Sequence, residues 1–383
     1  MKSLSLFPLL PSLVLCISLQ AVAQDDVHHI SARMPVQGTT TELSAERPYV
    51  APIPQTQSRI HSQGNTWTLQ ATIPGAVIHD IAFPSAQVGY AAAELGQVWK
   101  TADGGKTWTE VLNLGFPYYF YGVTALSAKV VVVSGFIDAF PATGLVRWSH
   151  DGGKTWSDDV VVSNTGTSIR VRFVKKLNGL VMDLDAGAEN LAQYTTDGGA
   201  ASSDWTNVVS DPSGAWFGDQ FSFLKNLHAR ASGIDLCSSL DGGADWSCGP
   251  SVDSVFDGEV FFLNNDKNGW VAGGEISPNV EGWVHVTTDG GKTWSGRTLD
   301  GPWPIRELLF LTKKTGWAAG GNIYTGVGGI YFSNDGGQTW SLNVNTGSEM
   351  DACDSKPSKP GHQIWCAGYD ASLNGHIWTT NVN

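Results

Sequence analysis

One octapeptide pattern recurs along the chain and constrains its fold more than any other feature of the sequence. The most regular copies read S/T-x-D-G-G-K-T-W, as in Thr101–Trp108, Ser149–Trp156 and Thr287–Trp294. The aspartates of the six copies are Asp103, Asp151, Asp197, Asp241, Asp289 and Asp335. Successive aspartates are 44 to 48 residues apart, and a period of that length is typical of a repeat architecture.

The residue types in this pattern predict a β-hairpin turn. Paired glycines adopt positive φ at little steric cost, which a tight hairpin requires. The Asp carboxylate can accept hydrogen bonds from N–H groups of the turn and from the Thr or Ser hydroxyl two residues before it. The Trp can pack into a hydrophobic layer between repeats. We therefore expect the six aspartates to be structural rather than catalytic.

Composition favours strands over helices between the copies. Glycine accounts for 45 of the 383 residues, and charged residues for only 15%, whereas exposed helices are rich in charged residues and poor in glycine. Short strand-like runs precede the first copy at 77–83, 88–93 and 97–101. Together with the strand after the turn they make four strands per repeat, which predicts an all-β fold, the β-propeller.

The two ends of the chain predict seven blades rather than six. Gln363–Gly368 and Gly375–Thr380 resemble the second and third strands of a blade, but no further copy of the pattern follows them. Near the other end, Trp67 resembles the Trp of a copy that lacks its first half. We therefore expect the last blade to take its outer strand from Thr66–Gln70, so that the N- and C-terminal strands close the ring and remove its free edges.

The N-terminal residues predict export. Lys2, a short apolar stretch and the small residues Ala21-Val22-Ala23 together indicate a signal peptide over residues 1–23. Residues 24–62 are polar, contain several prolines and show no periodicity, so we expect a flexible lead-in. The propeller is then expected to occupy residues 63–383.

Four cysteines follow the predicted signal peptide, and an even number in an exported chain favours disulfides. We expect the pairs Cys237–Cys248 and Cys353–Cys366, because each would cross-link one local hairpin. No C-x-x-C spacing occurs, so no metal site is predicted. An oxidising exported or secreted compartment follows from these expectations.

The charge balance excludes some classes of partner. A formal net charge of −13 disfavours nucleic acid, which needs a clustered basic surface. No segment after the signal peptide is apolar and long enough to predict an integral membrane span. We expect a monomer that carries no cofactor.

Aligned first strands give candidates for the inner ring of the propeller. Asp80, Arg170, Gln220, Glu259 and Glu307 fall at one position of the repeat, with Val123 taking that place in the second blade. Asp80, Glu259 and Glu307 could form a glycosidase acid and nucleophile pair, and the set could equally bind a polar or cationic ligand. The alternative is a wet, polar channel without a function of its own.

Aromatic residues are predicted on the loop face, the face opposite the turns that contain the repeated aspartates. Tyr118 and Tyr119 enter the second blade, Trp216 the fourth and Trp303 the sixth. With Arg170 they are the candidate ligand-binding residues, because exposed aromatic rings suit sugar stacking or a protein interface. The alternative is that some of these rings belong to the blade cores.

The S/T-x-D-G-G-x-T-W pattern resembles the Asp-box, or BNR repeat, and the resemblance covers residues 65–383. It implies a β-propeller in which each box joins the third and fourth strands of a blade. Sialidases carry Asp-boxes with an Arg-Ile-Pro element and three substrate-binding arginines. The nearest sequence here is Arg59-Ile60-His61, which lacks the proline, so a sialidase is disfavoured.

A second pattern, G-W/Y-A-A-G, precedes several boxes at Val88–Ala92, Asn268–Gly273 and Gly316–Gly320. It resembles the photosystem II assembly and stability factor family more closely than the sialidases. That family implies a single seven-bladed, non-catalytic propeller that binds partner proteins. We therefore expect an exported, non-catalytic propeller that binds a protein or glycan on its loop face. The alternative hypothesis is a glycoside hydrolase, sialidase-like or another exo-glycosidase, that uses the inner-ring carboxylates.

Overall fold

The computed structural model describes residues 65–382 with short gaps. The gaps are residues 165–166, 175–176, 185–189, 210–216, 234, 251, 254–256, 276–280, 323–326 and 360. The predicted signal peptide and the whole of the predicted lead-in lie outside the described residues. Within them, no helix is long and apolar enough to cross a membrane.

Seven four-stranded antiparallel sheets form the described part of the chain, which confirms the predicted seven-bladed β-propeller. Blade 1 contains β2 (Ile78–Ala82), β3 (Gly89–Ala93), β4 (Gln97–Thr101) and β5 (Thr109–Asn113). Blade 2 contains β6 (Tyr118–Ala125), β7 (Val131–Ile137), β8 (Thr143–Ser149) and β9 (Val160–Ser163). Blade 3 contains β10 (Thr167–Val174), β11 (Asn178–Leu184), β12 (Asn190–Thr195) and β13 (Thr206–Val209), with a 3₁₀ turn at Ser202–Asp204.

The remaining blades follow the same order. Blade 4 contains β14 (Phe217–Phe223), β15 (Ala229–Gly233), β16 (Asp235–Ser239) and β17 (Ser247–Pro250). Blade 5 contains β18 (Asp257–Phe262), β19 (Gly269–Glu275), β20 (Glu281–Thr287) and β21 (Leu299–Gly301). Blade 6 contains β22 (Ile305–Phe310), β23 (Gly316–Asn322), β24 (Val327–Ser333) and β25 (Ser341–Asn345). Blade 7 contains β26 (Glu349–Pro357), β27 (His362–Tyr369), β28 (Gly375–Val382) and β1 (Thr68–Ile73).

Blade 7 closes the ring as the sequence predicts. Its sheet order is β1-β28-β27-β26, so the first strand of the described chain is the outer strand of the last blade. Trp67, directly before β1, is buried and donates its Nε1–H to Asn343 Oδ1 at 2.9 Å. This pairing leaves neither end of the ring with an open sheet edge.

Each Asp-box lies between the third and fourth strands of its blade, with the Asp accepting the hydrogen bonds of the turn. In the first box, Asp103 Oδ1 accepts from the backbone N–H groups of Lys106 and Thr107, and Oδ2 accepts from the Thr107 hydroxyl at 2.6 Å. The Thr107 hydroxyl and N–H lower the pKa of Asp103 to about 2. The carboxylate is therefore committed to the turn, in agreement with the structural role expected from the sequence.

An indole hydrogen bond joins several blades to the box of the next blade. Trp365 of blade 7 donates Nε1–H to the Gly104 carbonyl of blade 1 at 2.8 Å, and Trp270 of blade 5 donates to the Gly336 carbonyl of blade 6 at 2.9 Å. Gly104 has φ +77° and its neighbour Gly105 has φ +93°. A Cβ on Gly105 would lie 3.2 Å from Trp365 Nε1, so a side chain there would crowd the indole.

The same indoles stack on the next blade. Trp365 lies 3.8 Å from the Phe83 ring, and Trp270 lies 3.5 Å from the Phe310 ring, both nearly parallel. The box Trp of that blade then meets the Phe edge-on, as Trp108 does with Phe83 at 6.0 Å. This three-ring contact buries apolar area between sheets and fixes their mutual orientation.

Both predicted disulfides are present. Cys237–Cys248 joins β16 and β17 of blade 4, and Cys353–Cys366 joins β26 and β27 of blade 7. In each case the two cysteines are direct partners across neighbouring strands. Each bond therefore cross-links one hairpin, which restricts the unfolded chain and stabilises that blade.

The indole bond that closes the ring gives a test of the fold. We expect Trp365→Phe to destabilise the protein by about 1–3 kcal/mol, because the buried Gly104 carbonyl loses its donor while stacking on Phe83 is retained. Trp378→Phe is the matched control, since the buried Trp378 Nε1 has no hydrogen-bond partner among the described residues. Denaturant unfolding measures both, and equal losses in the two variants would contradict the assigned role of the bond.

Candidate functional site

Inner strands of most blades contain a bulge at the same point, and this bulge sets which side chains are equivalent. The pairing register shifts just before Asp80, Arg170, Glu259 and Glu307. The predicted alignment of these four residues is therefore confirmed. In blade 2 the shift falls before Gly122, so the assignment of Val123 to this position was wrong by one residue.

Asp80 is held by two arginines and is almost completely buried. Its carboxylate lies 3.1 Å from Arg170 Nη1 and 2.7 Å from Arg172 Nη1, and only 1% of its side chain is exposed. The backbone N–H groups of Ile81 and Val123 also donate to it. Every oxygen of this carboxylate is thus used inside the protein, which leaves no lone pair directed at a ligand.

Arg170 connects three blades across the channel. Besides its contact with Asp80, it donates from Nη1 to the His79 carbonyl at 3.0 Å and from Nη2 to the Asp351 carbonyl at 3.2 Å. The side chain is buried. Arg170 from blade 3 therefore ties together the inner strands of blades 1 and 7, and the role predicted for it as a ligand-binding residue is not supported by its exposure.

His79 is the centre of a second buried cluster, which sequence reasoning missed. Nδ1 lies 3.2 Å from Asp351 Oδ2 and Nε2 lies 3.3 Å from Glu94 Oε1. The ring stacks on Tyr121 at 4.1 Å and meets Tyr369 edge-on at 5.5 Å. Burial lowers the pKa of His79, but the hydrogen bonds to the two carboxylates outweigh it and raise the pKa to about 9. At neutral pH this histidine is an imidazolium between two carboxylates.

Two further carboxyl groups have raised pKa values. Burial raises the pKa of Glu307 to about 8, although Arg170 and Arg172 oppose this shift. Burial and the nearby Asp351 raise the pKa of Glu349 to about 7, although Arg306 donates to it at 3.0 Å. At neutral pH Glu307 is therefore largely protonated and Glu349 is partly protonated. Of the three predicted catalytic carboxyls, Asp80 and Glu259 are buried and Glu307 is partly exposed.

The candidate aromatic residues differ in their exposure. Trp303 is only 5% exposed and packs in the hydrophobic core between blades 5 and 6, so its predicted place on the surface was wrong. Its ring lies 5.8 Å from the Tyr331 ring of blade 6. Tyr118 donates its hydroxyl to Asp159 at 3.0 Å, and Tyr119 stacks on Phe136 at 5.3 Å. Trp216 lies outside the described residues.

An exposed apolar surface lies on the loops beside these tyrosines. Phe140 is fully exposed, Phe116 is 57% exposed and Leu95 is 40% exposed. Phe116 and Phe140 are the only exposed large aromatic side chains in the part of the chain that the structure describes. We call Leu95, Phe116 and Phe140 the loop-face patch.

Backbone hydrogen bonds hold the loops of this patch next to one another. Gly115 N–H donates to the Leu95 carbonyl at 2.9 Å, and Asp138 N–H donates to the Pro117 carbonyl at 2.8 Å. The three loops join the fourth strand of blade 1 to the first strand of blade 2, or the second to the third strand within each of these blades. They therefore share the face opposite the Asp-boxes, and the patch rests on a hydrogen-bonded frame.

The described residues do not form a cluster of His, Cys, Asp or Glu side chains suited to holding a metal ion. Most channel carboxylates are instead paired with Arg or His, as in Asp80 with Arg172 and Asp351 with His79. Chemically, such a channel stabilises the ring through buried ion pairs.

Comparison with known proteins agrees with this architecture. The BNR/Asp-box repeat model matches residues 331–342, which contain the sixth box. Photosystem II assembly lipoprotein Ycf48 of Synechococcus sp. (strain CC9902) is 31% identical over 107 residues. That match covers 27% of this chain and 29% of the Ycf48 chain, so it spans less than a third of either protein.

Solved structures resemble the chain over most of its length. A structure of YCF48 bound to a D1 peptide has a TM-score of 0.60 and 18% identity, covering 84% of this chain and 98% of that one. YCF48 from Cyanidioschyzon merolae has a TM-score of 0.59 and 19% sequence identity, and the match covers 82% of this chain and 98% of that one. The GH74 xyloglucanase of Xanthomonas campestris has a TM-score of 0.58 and 15% sequence identity, and the match covers 81% of this chain and 54% of that one. At these identities the likeness shows the fold, and the resemblance to Asp-box and Ycf48-type propellers is confirmed.

The His79 cluster predicts a pH dependence of stability. Since folding raises the pKa of His79 from 6.5 to about 9, its stabilising effect is fully present below pH 6.5 and is lost as the pH rises towards 9. We expect His79→Gln to cost on the order of 3 kcal/mol at pH 6, with a much smaller cost above pH 9. Denaturant unfolding of both proteins across this range measures the difference. A pH-independent difference would show that His79 is not charged in the folded protein.

Proposed function

We propose that this protein is an exported, non-catalytic β-propeller that binds a protein partner through the loop-face patch. The observation that carries the proposal is the exposure of Phe116 and Phe140 on adjoining, hydrogen-bonded loops. Aromatic side chains are enriched at the energetic centres of protein interfaces. Two solvent-exposed phenylalanines on loops joined by backbone hydrogen bonds are therefore best explained as a contact surface.

A protein partner suits the patch better than a glycan. Sugars bind where flat aromatic rings alternate with polar hydrogen-bonding groups, whereas this patch joins two phenylalanines with a leucine. The similarity to Ycf48 supports the same choice, because one Ycf48 structure is a complex with a D1 peptide. The partner of the present chain is defined by chemistry only: a polypeptide that presents an apolar surface to Phe116 and Phe140.

The paired carboxylates support the non-catalytic part of the proposal. A retaining glycosidase needs a free carboxylate nucleophile beside a protonated acid. Asp80 is neutralised by Arg170 and Arg172 and is buried. Glu259 is also buried, with only 5% of its surface exposed. Neither residue can approach a sugar ring without movement of the inner strands.

Export rests on two independent features. Residues 1–23 have the sequence pattern of a signal peptide. All four cysteines after that segment lie in the two disulfides, which persist in oxidising compartments. We therefore assign the protein to an exported, oxidising location, with the mature chain beginning near Gln24.

Partner capture tests the proposed surface. We expect Phe116→Ala with Phe140→Ala to weaken partner retention at least tenfold, because two interface aromatics contribute more than 1 kcal/mol each. The bait is the full chain purified from the exported fraction, and the measurement is quantitative mass spectrometry of co-purified proteins. Leu240→Ala is the matched control, since this exposed leucine lies in the Asp-box turn of blade 4.

Three outcomes would contradict the proposal. Retention that is unchanged in the double variant would remove the loop-face patch from the interface. Equal loss in the Leu240→Ala control would point to a non-specific effect of surface leucine and phenylalanine. An intact mass that includes residues 1–23, or that shows free thiols, would contradict export.

A glycoside hydrolase is the second candidate, and the raised pKa of Glu307 is the observation that favours it. A carboxyl group with a pKa near 8 is protonated at neutral pH and could act as a general acid. If so, hydrolysis in a screen of chromogenic and polymeric glycans should fall at least 100-fold in Glu307→Gln. Glu110→Gln is the control, because Glu110 is exposed on an outer strand. Absence of hydrolysis in the wild-type protein, or full activity in Glu307→Gln, excludes this role.

A further inference from the structure

Blade 4 departs from the other six at the position that carries the inter-blade aromatic ring. The position is a pair of directly opposed residues, one on the second strand and one on the third strand immediately before the Asp-box. Blade 7 has no box between its last two strands, and its equivalent pair is Trp365 and Thr379. Six blades place an aromatic residue at one or both members of the pair: Tyr90, Trp148, Tyr194, Trp270, Trp317 and Trp365. In blade 4 the pair is Arg230 and Ser238, so this blade supplies no ring.

Arg230 takes over only part of the role of the missing ring. Its guanidinium lies over the Phe262 ring of blade 5 at 5.2 Å, where Trp270 and Trp365 stack on the corresponding phenylalanines. Nη2 is drawn towards Asp266, to which it donates at 2.8 Å. The guanidinium is therefore held at one side of the space that an indole fills between other blades.

A cavity of about 460 Å³ remains between blades 4 and 5. Arg230, Ser238, Phe262, Gly290, Gly291 and Trp294 are among the residues that line it. Gly290 and Gly291 correspond to Gly336 and Gly337 of the next box, where Trp270 donates to the Gly336 carbonyl and lies close to Gly337. The volume lies within the range of sites for small ligands and side chains.

We propose that this cavity binds an indole side chain presented by a partner polypeptide. The walls are those that receive Trp270 and Trp365 elsewhere in the ring: a phenylalanine face, a box Trp edge and the glycine pair of an Asp-box. An indole that displaces the Arg230 guanidinium from the Phe262 face can stack on that ring and donate its N–H to the Gly290 carbonyl. The cations Arg230 and Lys292 line the same space and are attracted to the face of an aromatic ring.

This site is separate from the loop-face patch. It shares no residue with Leu95, Phe116 or Phe140, and it is lined by the Asp-box of blade 5 on the opposite face. It therefore goes beyond the proposed function. Loss of binding at one surface is expected to leave the other intact.

Filling the cavity from within tests the proposal. We expect N-acetyl-L-tryptophanamide to bind the full mature chain with a Kd near 1 mM or lower, and Arg230→Trp to weaken this binding at least tenfold. Arg230→Ala is the matched control, because it loses the same ion pair with Asp266 but leaves the cavity open. Ligand-observed NMR titration measures the affinities.

Stability gives a second readout. Arg230→Trp should melt at least about 3 °C above Arg230→Ala, because its own ring restores the stacking on Phe262. If Arg230→Trp fails to fold, Ser238→Trp replaces it, since Ser238 stands where blade 2 has Trp148, whose Nε1 donates to the Gly199 carbonyl of the next box. Whichever of the two variants folds should block the binding of N-acetyl-L-tryptophanamide.

The probes distinguish the occupants. The peptide acetyl-Gly-Trp-Gly-amide should bind more tightly than free indole, because the occupant is part of a polypeptide. Free indole binding as tightly as the peptide would overturn the polypeptide source. Equal binding of N-acetyl-L-leucinamide or glucose, or undiminished binding to the filled variants, would overturn the indole site.

Discussion

At two of the blade junctions the same contact recurs, in which an indole of one blade stacks on a phenylalanine of the next and donates to its Asp-box. Trp365 makes this contact from the last blade to the first, across most of the sequence. The Asp-box is therefore more than a turn. Its glycines adopt positive φ, which lets a neighbouring indole approach the backbone closely, and its aspartate keeps the turn in that shape.

A second set of contacts fills the channel. Arg170 joins blades 1, 3 and 7, while His79 is held between carboxylates of blades 1 and 7. Buried charges of this kind are costly unless each is paired, and here most of them are. These contacts therefore tie the inner strands of blades 1, 3 and 7 together.

Function in such a protein is best sought where the repeat is broken. Phe116 and Phe140 are both exposed, although phenylalanine is usually buried. Arg230 replaces an aromatic ring and leaves a cavity. Positions that carry the repeat are constrained by packing against the neighbouring blade.

The sequence by itself determined the blade number, the shared last blade, the two disulfides and the structural role of the boxes, because each depends on local spacing or hairpin chemistry. It also aligned Asp80, Arg170, Glu259 and Glu307 correctly. It did not reveal that Trp303 is buried, that His79 lies between two carboxylates or that Arg170 spans the channel. Those facts depend on which strands of distant blades face one another, and on the bulge that rotates each inner strand by one residue. Only the closed ring brings such groups within a few ångströms of one another.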